Sequence, residues 1–298
     1  MSTQVFILCE KPKDVNLILI SFRGTELFDA CDWSTDFDYS WYQIPNLGKV
    51  HVGFLEALGL GNRTNITSFK CNLQVKNMKV SSPDNSKITA YDAVKTKLKE
   101  LLAENPDAKF VVTGHSLGGA LAILLPIVLV LNEETQVMER LLGVYTFGQP
   151  RVGDVKLGRS MEEHLNEPEP RYFRVVYCND LVPRLPYDDK AFLYKHFGAC
   201  LYYNSFYKEQ KVEEEPNRNY FGVRYLIQQH LNAVWELIRA LTIQYVHGSD
   251  YKENWCSIFV RLIGLLVPGV SAHSPRDYVN SVRLGRQHAG HIHMSSLE

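Results

Sequence analysis

The segment Lys109–Pro126 reads KFVVTGHSLGGALAILLP and joins two apolar runs through the pattern G-x-S-x-G. The first run is short and rich in branched residues, which predicts a buried strand, and the second predicts a helix buried on most sides. Between them, Gly114 and Gly118 allow the sharp turn from which a serine hydroxyl projects beyond the end of a sheet. This strand–turn–helix context predicts that Ser116 is a catalytic nucleophile in a nucleophile elbow.

A negative charge that develops beside Ser116 needs hydrogen-bond donors. The helix that follows begins at Leu117, so the backbone N–H of Leu117 and the positive end of the helix dipole face such a charge. A second candidate donor is the backbone N–H of Thr25, because Phe22-Arg-Gly-Thr25 ends an early predicted strand. On these residues alone, an ordinary strand-ending turn accounts for Thr25 equally well.

Predicted strands and helices alternate along most of the chain, which predicts an α/β-hydrolase fold with a mainly parallel central sheet and helices on both faces. Gly61–Ser86 is predicted to be a polar surface excursion, and Lys208–Asn219 a solvated charged loop. Leu226–Val246 has apolar residues at helical spacing, such as Leu231 and Ile238, and predicts a helix whose apolar stripe faces the core. The predicted strands are Val5–Cys9, Asn16–Phe22, Lys109–Thr113, Leu142–Phe147 and Tyr172–Tyr177, and the further helices are Tyr91–Ala103 and Leu117–Leu131.

A serine hydroxyl needs a base to take its proton, and in this fold the partners follow in the order Ser, Asp or Glu, His. Three of the ten histidines remain as candidates for the base: His196, His247 and His273. His273 is favoured because it lies in a short loop after a long apolar segment, where a base can be held at the end of a core element. His115, beside the serine, is expected to point away across the elbow and to be structural.

The acidic partner should stand at the end of a strand that follows the elbow strand. Asp180 fits this position, because the predicted strand Tyr172–Tyr177 ends just before it. A carboxylate there can hold an imidazole in one tautomer and stabilise its protonated form. Asp154, Asp188 and Asp189 are alternatives, and any of these aspartates could instead cap a turn.

The composition excludes some classes of function. The formal net charge is −1, from 32 basic and 33 acidic residues, so no basic field exists to attract nucleic acid or an anionic membrane. The six cysteines form no C-x-x-C pair and are predicted to be free thiols. The chain start lacks the features of a signal peptide, and the apolar stretch Ser257–Val267 is too short to span a bilayer, so an intracellular protein without a transmembrane helix is expected.

Five motifs in order resemble the class 3, or fungal-type, triacylglycerol lipase family. They are FRGT at 22–25, KVHVGFLEA at 49–57, VVTGHSLGGALA at 111–122, YTFGQPRVGD at 145–154 and NDLVPRLP at 179–186, and a late histidine in SAHSPRDY follows them. The resemblance covers nearly the whole chain, so a single domain over residues 1–298 is expected. The segment DWSTDFDYSW and the long insert before SAHSPRDY resemble the plant oil-body lipase branch of this family.

The resemblance implies a catalytic triad of Ser116, Asp180 and His273, an oxyanion hole formed by Thr25 and Leu117, and a lid over roughly Glu26–Phe37. It implies no cofactor and no metal. The implied substrate is an acylglycerol or another lipid ester at a lipid–water interface, with the protein cytosolic or peripheral on lipid droplets or membranes. Plant relatives carry an N-terminal region that helps such attachment, and this chain is expected to lack it.

Two alternatives stay open on the sequence. A phospholipase or galactolipase A1 uses the same triad on the same fold, since headgroup preference lies in the pocket walls. A catalytically silent lipase-like regulator would show a damaged triad or a long appended helical domain, and neither is found in the motifs above. The oligomeric state is not indicated by any pattern.

Overall fold

The structure is a computed structural model that describes residues 3–11, 15–24, 39–73, 88–191 and 193–294. The larger of its two sheets has seven strands in the order β1-β2-β5-β6-β8-β10-β11. They are β1 (Val5–Cys9), β2 (Leu17–Phe22), β5 (Lys109–His115), β6 (Leu141–Phe147), β8 (Tyr172–Tyr177), β10 (Ala199–Tyr203) and β11 (Glu209–Val212). The five strands from β2 to β10 run parallel, and β1 and β11 add antiparallel edges. This is the mainly parallel sheet of the predicted α/β-hydrolase fold.

A second, four-stranded antiparallel sheet was not predicted. Its order is β3 (Trp41–Ile44), β4 (Gly48–His51), β7 (Gly153–Asp154) and β9 (Tyr194–Lys195). All four strands are only two to four residues long. A segment that short shows no usable alternation of polar and apolar residues, so its strands form only when distant partners are brought together.

Helices cover the faces of the large sheet. The described helices are α1 (Val52–Ala57), α2 (Ile66–Leu73), α3 (Ala90–Glu104), α4 (Leu117–Leu131), α5 (Thr135–Met138), α6 (Val155–Leu165), α7 (Leu226–His247), α8 (Trp255–Gly264) and α9 (Pro275–Met294). The predicted helix α4 is buried continuously from Leu117 to Leu129 and packs on β2, β5 and β6. This packing places the start of α4 at the carboxyl edge of the parallel strands.

Two predictions for the surface need correction. The excursion predicted at Gly61–Ser86 contains helix α2, and its residues 74–87 lie outside the described part. The loop predicted at Lys208–Asn219 contains the edge strand β11, which pairs with β10, and its Glu215 is buried. Glu215 lies near the guanidinium groups of Arg151 and Arg174, at 3.8 and 3.4 Å, and these tertiary contacts permit a charged residue of a polar run to be buried.

The orientation predicted for α7 is wrong. The apolar stripe that includes Leu231, Val234 and Ile238 is exposed, and the buried face of the helix carries Glu236 and Arg239 instead. The physical reason is that these two charged groups meet opposite charges contributed by other segments, which periodicity within the helix cannot reveal.

Candidate active site

Ser116 connects β5 to α4 in a conformation that few residues adopt. Its φ is 58° and its ψ is −129°, a region essentially restricted to glycine that costs on the order of 1–3 kcal/mol for other residues. The backbone N–H of Ser116 donates to the carbonyl of Phe147 at 2.9 Å, and its carbonyl accepts from Gly119 at 2.9 Å. The flanking hydrogen bonds and the buried helix therefore hold the serine in the strained turn of an elbow.

The glycines of the elbow are required by close backbone contacts. A Cβ added to Gly114 would lie 2.1 Å from the carbonyl oxygen of Gly118, and one added to Gly118 would lie 2.2 Å from the carbonyl oxygen of Phe22. A Cβ on Gly24 would lie 2.4 Å from the carbonyl oxygen of His115. The end of β2, just before Thr25, is thus packed directly against the elbow.

His273 and Asp180 form a buried pair. The Nδ1 atom of His273 lies 2.8 Å from Oδ2 of Asp180, although 93 residues separate the two in the chain. The other carboxylate oxygen, Oδ1, accepts the backbone N–H of Val182 at 2.9 Å. Since a carboxylate can only accept, Nδ1 carries the proton, and Nε2 is left as the basic nitrogen.

Oγ of Ser116 and Nε2 of His273 have no hydrogen-bond partner within the described ranges. Both residues are buried. They meet at the same strand edge, because Ser116 is hydrogen-bonded to Phe147 and the next residue, Gly148, contacts His273. A buried polar atom without a partner is costly, and such atoms concentrate where a ligand or reactant completes the site.

Three further residues shape the histidine–aspartate pair, and sequence reasoning did not identify two of them. The hydroxyl of Tyr278 donates to Oδ2 of Asp180, and burial together with that carboxylate raises the pKa of Tyr278 well above its usual value. Gly148 has a φ of 57°, and a Cβ on it would lie 2.9 Å from both Oδ2 of Asp180 and Cε1 of His273. The signals available were the tyrosine in SAHSPRDY and the glycine in YTFGQP.

His115 is the third of these residues, and its predicted orientation needs correction. Its ring does not stand apart from the site but packs against the ring of His273, with centroids 4.5 Å apart, and lies 5.3 Å from that of Tyr278. Desolvation and the neighbouring His273 keep the pKa of His115 well below its usual value, so its imidazole stays neutral. It therefore buttresses the candidate base without competing with it for a proton.

The alternative histidines lie in other surroundings. Nε2 of His196 is 2.7 Å from the carbonyl oxygen of Pro183, in the buried cluster around Glu215, and burial lowers the pKa of His196 well below its usual value. His247 ends α7 on the surface, where its ring packs on Tyr251. Neither approaches Asp180 in any described contact.

The alternative aspartates have structural partners. Asp154 caps α6 by accepting the backbone N–H of Leu157 at 2.9 Å, and it also accepts that of Lys49 at 3.0 Å. Asp188 forms ion pairs with Lys195 and Arg218. Asp189 accepts the backbone N–H of Ala191 at 2.8 Å.

One of the two candidate oxyanion donors is described. Leu117 is the first residue of α4, so no carbonyl of that helix stands one turn earlier to accept its N–H. Thr25, and the lid predicted at Glu26–Phe37, lie outside the described residues. A Cβ added to Gly24, the residue before Thr25, would lie 3.3 Å from Cβ of Ser116.

Comparisons with known proteins agree with the motifs. A family model described as Lipase (class 3) matches residues 19–190, which include Ser116 and Asp180 but not His273. The triacylglycerol lipase OBL1 of Arabidopsis thaliana is 62% identical over 303 residues, and that of Nicotiana tabacum is 59% identical over 333. The matches cover 100% and 96% of this chain but only 58% of each relative, so the chain spans little more than half of their length.

More distant likenesses extend to phospholipases and to solved structures. Phospholipase A1-IIbeta of Arabidopsis thaliana is 28% identical over 213 residues, covering 68% of this chain and 46% of that protein. The native Rhizomucor miehei lipase propeptide complex superimposes with a TM-score of 0.50 at 27% identity, over 70% of this chain and 55% of that one. Because the family model covers more than half of the chain, and the two plant triacylglycerol lipases OBL1 are about 60% identical to nearly all of it, the chain belongs to the class 3 lipase family.

Proposed function

We propose that this chain is a serine-dependent carboxylic ester hydrolase that releases fatty acids from acylglycerols through an acyl-enzyme. The observation that carries the proposal is the buried pair of His273 and Asp180, 2.8 Å apart, at the strand edge where Ser116 stands in a strained elbow. The serine hydroxyl and the basic nitrogen of His273 are both buried without a hydrogen-bond partner among the described residues, so neither is held in a contact that would compete with proton transfer from the serine to the histidine.

In the proposed acylation step, Oγ of Ser116 attacks the ester carbonyl carbon while Nε2 of His273 takes the hydroxyl proton. The carbonyl oxygen becomes an oxyanion, and the backbone N–H groups of Leu117 and Thr25 stabilise it by donating hydrogen bonds. The bond to the alcohol oxygen then breaks, and His273 returns the proton to that oxygen. Asp180 keeps the imidazole in one tautomer and stabilises the imidazolium that forms in between.

Deacylation repeats the sequence with water as the nucleophile. His273 takes one proton from water, the hydroxide adds to the acyl carbon, and the bond to Oγ of Ser116 breaks as the serine regains the proton. The fatty acid leaves and the free enzyme is restored. His115 and Gly148 act as positioning residues in this proposal, because the ring of His115 packs on the imidazole of His273 and a Cβ on Gly148 would clash with that imidazole.

The acylglycerol assignment rests on the names of three plant relatives that are 52–62% identical to this chain, all of which are triacylglycerol lipases. A phospholipase A1 activity is the second candidate, supported by a relative of 28% identity. A silent regulator has less support, since Ser116, Asp180 and His273 carry the residue types that the proposed chemistry needs and His273 is hydrogen-bonded to Asp180. The purified chain should be assayed on triolein, on phosphatidylcholine and on a soluble short-chain ester, with triolein expected to be cleaved faster than phosphatidylcholine.

The decisive variant is Ser116→Ala. Without the nucleophile, we expect hydrolysis of all three substrates to fall by on the order of 10⁴–10⁶-fold while the unfolding temperature changes little. Ser249→Ala, at an exposed position, is the matched control and should leave the rate unchanged. Retention of more than a few per cent of turnover by Ser116→Ala would refute the assignment of the nucleophile.

We also propose that Glu26–Phe37 is a lid that opens at a lipid surface, because it mixes Leu27, Phe28 and Trp33 with acidic residues directly after Thr25. The test is a titration of a short-chain ester through its solubility limit. A lid predicts a steep rise in rate once droplets appear, weakened by Trp33→Ser. A smooth saturation curve that is the same in both proteins would contradict it.

A further inference from the structure

Helices α7 and α8 turn their apolar residues outward. The exposed stripe of α7 follows the spacing of one helix face and consists of Ile227, Leu231, Val234, Ile238, Leu241 and Tyr245. Leu231 is 64% exposed and Ile238 is 48% exposed. Helix α8 likewise exposes Trp255, Phe259 and Leu262. Contiguous exposed apolar surface of this kind marks an interaction site rather than a random surface.

The charged residues of the same two helices point inward. Helix α7 contains Glu236 and Arg239 as its only Asp, Glu, Lys or Arg residues, and α8 contains Arg261; all three are buried. A helix that faces water places charges outward and apolar groups inward. The α7–α8 pair has the reverse arrangement, which is the arrangement of helices whose outer face meets hydrocarbon.

Ion pairs fix this orientation. Arg239 reaches Oδ1 of Asp277 at 2.9 Å, and Arg261 reaches Oδ2 of the same carboxylate at 3.1 Å. Arg261 also donates through Nε to Glu253 at 2.8 Å. Rotating either helix to bury its apolar stripe would carry its arginine away from Asp277, which would stay buried with one cation instead of two. The outward apolar face is therefore a built feature of the fold.

The apolar face is continuous with the elements that form the candidate active site. Helix α8 leads within nine residues to His273, and Leu266, in the connecting loop, is 82% exposed. The carbonyl of Gly269 in the same loop accepts the backbone N–H of Leu181, the residue after Asp180. Any surface that binds this face would therefore also contact the loop that carries His273, the candidate base.

At the other end, three aromatic side chains in contact, of which Phe221 is exposed, connect the face to a residue just after the proposed lid in the chain. Phe221, just before α7, packs on Tyr187 with ring centroids 6.1 Å apart, and Tyr187 packs on Tyr39 at 5.9 Å. Tyr39 is the first described residue after 25–38.

We propose that the α7–α8 face, defined by the exposed residues of the two helices named above, binds this protein to a lipid surface that carries no net charge. The proposal rests on the proposed function, which requires the enzyme to work at such a surface. The exposed side of α7 has no acidic residue, lysine or arginine, which matches an uncharged partner and excludes attraction by anionic headgroups.

A second copy of the chain fits this face less well. Protein interfaces carry about one hydrogen bond per 100–200 Å², whereas the exposed side of α7 offers few polar groups beyond Gln228, His230 and Thr242. At 22 residues, α7 is about 33 Å long and can lie flat with its stripe inserted among acyl chains. Within the described residues, no helix is long and apolar enough to cross a bilayer.

The test measures flotation of the 298-residue chain carrying Ser116→Ala, so that hydrolysis does not alter the lipid. The probes are phosphatidylcholine vesicles and triolein droplets coated with phosphatidylcholine. We expect binding at about 0.1 M salt to persist at about 1 M, because the Debye length falls from about 10 to about 3 Å without weakening apolar contacts. Adding Leu231→Gln and Ile238→Gln should weaken binding about ten-fold or more.

The matched control is Phe6→Thr with Leu8→Thr, two exposed apolar residues on β1, at the opposite edge of the large sheet from β10 and β11. This control should bind as well as the parent. With Ser116 restored, the α7 double variant should hydrolyse a dissolved short-chain ester at the parental rate, which verifies that the fold and the catalytic site are intact.

Undiminished flotation of the α7 variant, equal loss in the control, or binding abolished by salt would each overturn the proposal. So would a lipid-free dimer that the α7 substitutions convert to monomer, since the face would then be a contact between copies. Absence of ester hydrolysis in the parent chain would refute the proposed function instead, and flotation would still report on the face by itself.

Discussion

The helices beside the elbow and the α7–α8 pair place their charges on opposite sides. Helix α4 is apolar and buried from Leu117 to Leu129, and the ion pair of Lys97 with Glu100 on α3 faces water. In α7 and α8 the charges are buried and the apolar stripes are exposed. Periodicity therefore identified the apolar face of each helix, but the partners available to the charges decided which face turned inward.

Each of the two regions also contains a buried ionic cluster. Cations outnumber carboxylates in the cluster around Glu215, and carboxylates outnumber cations in the cluster under α7. Burial opposes the ionisation of Glu215, but His196, Arg174 and Arg151 more than offset it and hold the pKa of Glu215 at about 2. Under α7, the carboxylates of Glu236, Glu253 and Asp277 share two arginines, and burial with the charge of Asp277 raises the pKa of Glu236 to about 7. The charges nearest to each carboxyl thus set the direction of its shift, since the pKa of Glu253, which accepts a hydrogen bond from Arg261, is lowered although it lies in the same cluster as Glu236.

The largest expected effect comes from removing His273, the candidate base, which lies outside the segment that matches the family model. His273→Ala should lower the turnover of a dissolved ester by on the order of 10⁴–10⁶-fold, and combining it with Ser116→Ala should add little, because the residues act as one unit. His164→Ala, exposed on α6, is the control. Asp180→Asn should be nearly as damaging, and full activity in it beside loss in Asp154→Asn would move the acid to the start of α6.

Next in size is the loss of the ion pairs that orient α8. Arg261→Met should lower the free energy of unfolding by about 3–5 kcal/mol, because it leaves Glu253 and Asp277 buried without one of their cations. Urea unfolding followed by circular dichroism measures this. Lys97→Met, in an exposed pair, should leave the unfolding midpoint unchanged. Equal midpoints for the two variants would show that the buried cluster does not hold the helix pair.

A smaller effect separates backbone strain from contact with the catalytic groups. Gly148→Ala and Gly248→Ala both place a side chain at positive φ, but only at position 148 would the Cβ lie 2.9 Å from Asp180 and His273. Both should lose about 1–2 kcal/mol of stability. Only Gly148→Ala should also lower turnover, by about 10²-fold, because it displaces the imidazole. Similar turnover in both variants would contradict the positioning role of Gly148.

The smallest expected effect tests the two ionic clusters by pH. A carboxyl whose pKa is raised from 4.5 to about 7 on folding binds more protons in the folded state, so its contribution to stability falls as pH rises through that window. Glu236→Gln removes this loss, and its stability relative to the parent should rise by about 2–3 kcal/mol between pH 5 and pH 8. Urea midpoints at several pH values give the measurement.

For Glu215→Gln we expect the stability relative to the parent to change with pH in the opposite direction. Ionised Glu215 stabilises the fold above pH 4.5, and that contribution disappears as pH falls toward about 2. The variant should therefore be less stable than the parent at neutral pH, with a difference that shrinks in acid. Parallel pH profiles for the two variants would contradict the opposite balance of the clusters.

The elbow and the parallel core could be predicted because their signals are local. The strand, the glycines around Ser116 and the apolar run of α4 lie within 23 consecutive residues, and the contacts that require Gly114 and Gly118 are with a near neighbour or an adjacent strand. The short strands of the second sheet and the buried Glu215 could not be predicted, since their stabilising partners come from distant segments.

By itself, the sequence determined the strand–elbow–helix unit, the place of Ser116 in it and a short set of candidates for its partners. Only the tertiary structure brought His273 to Asp180 across 93 residues, added Tyr278 to the same carboxylate across 98, and set Gly148 and His115 against the imidazole. It also decided that α7 buries Glu236 and Arg239 and exposes its apolar stripe. The physical reason is that a buried charge is tolerated only where an opposite charge meets it, and that meeting depends on how remote segments pack.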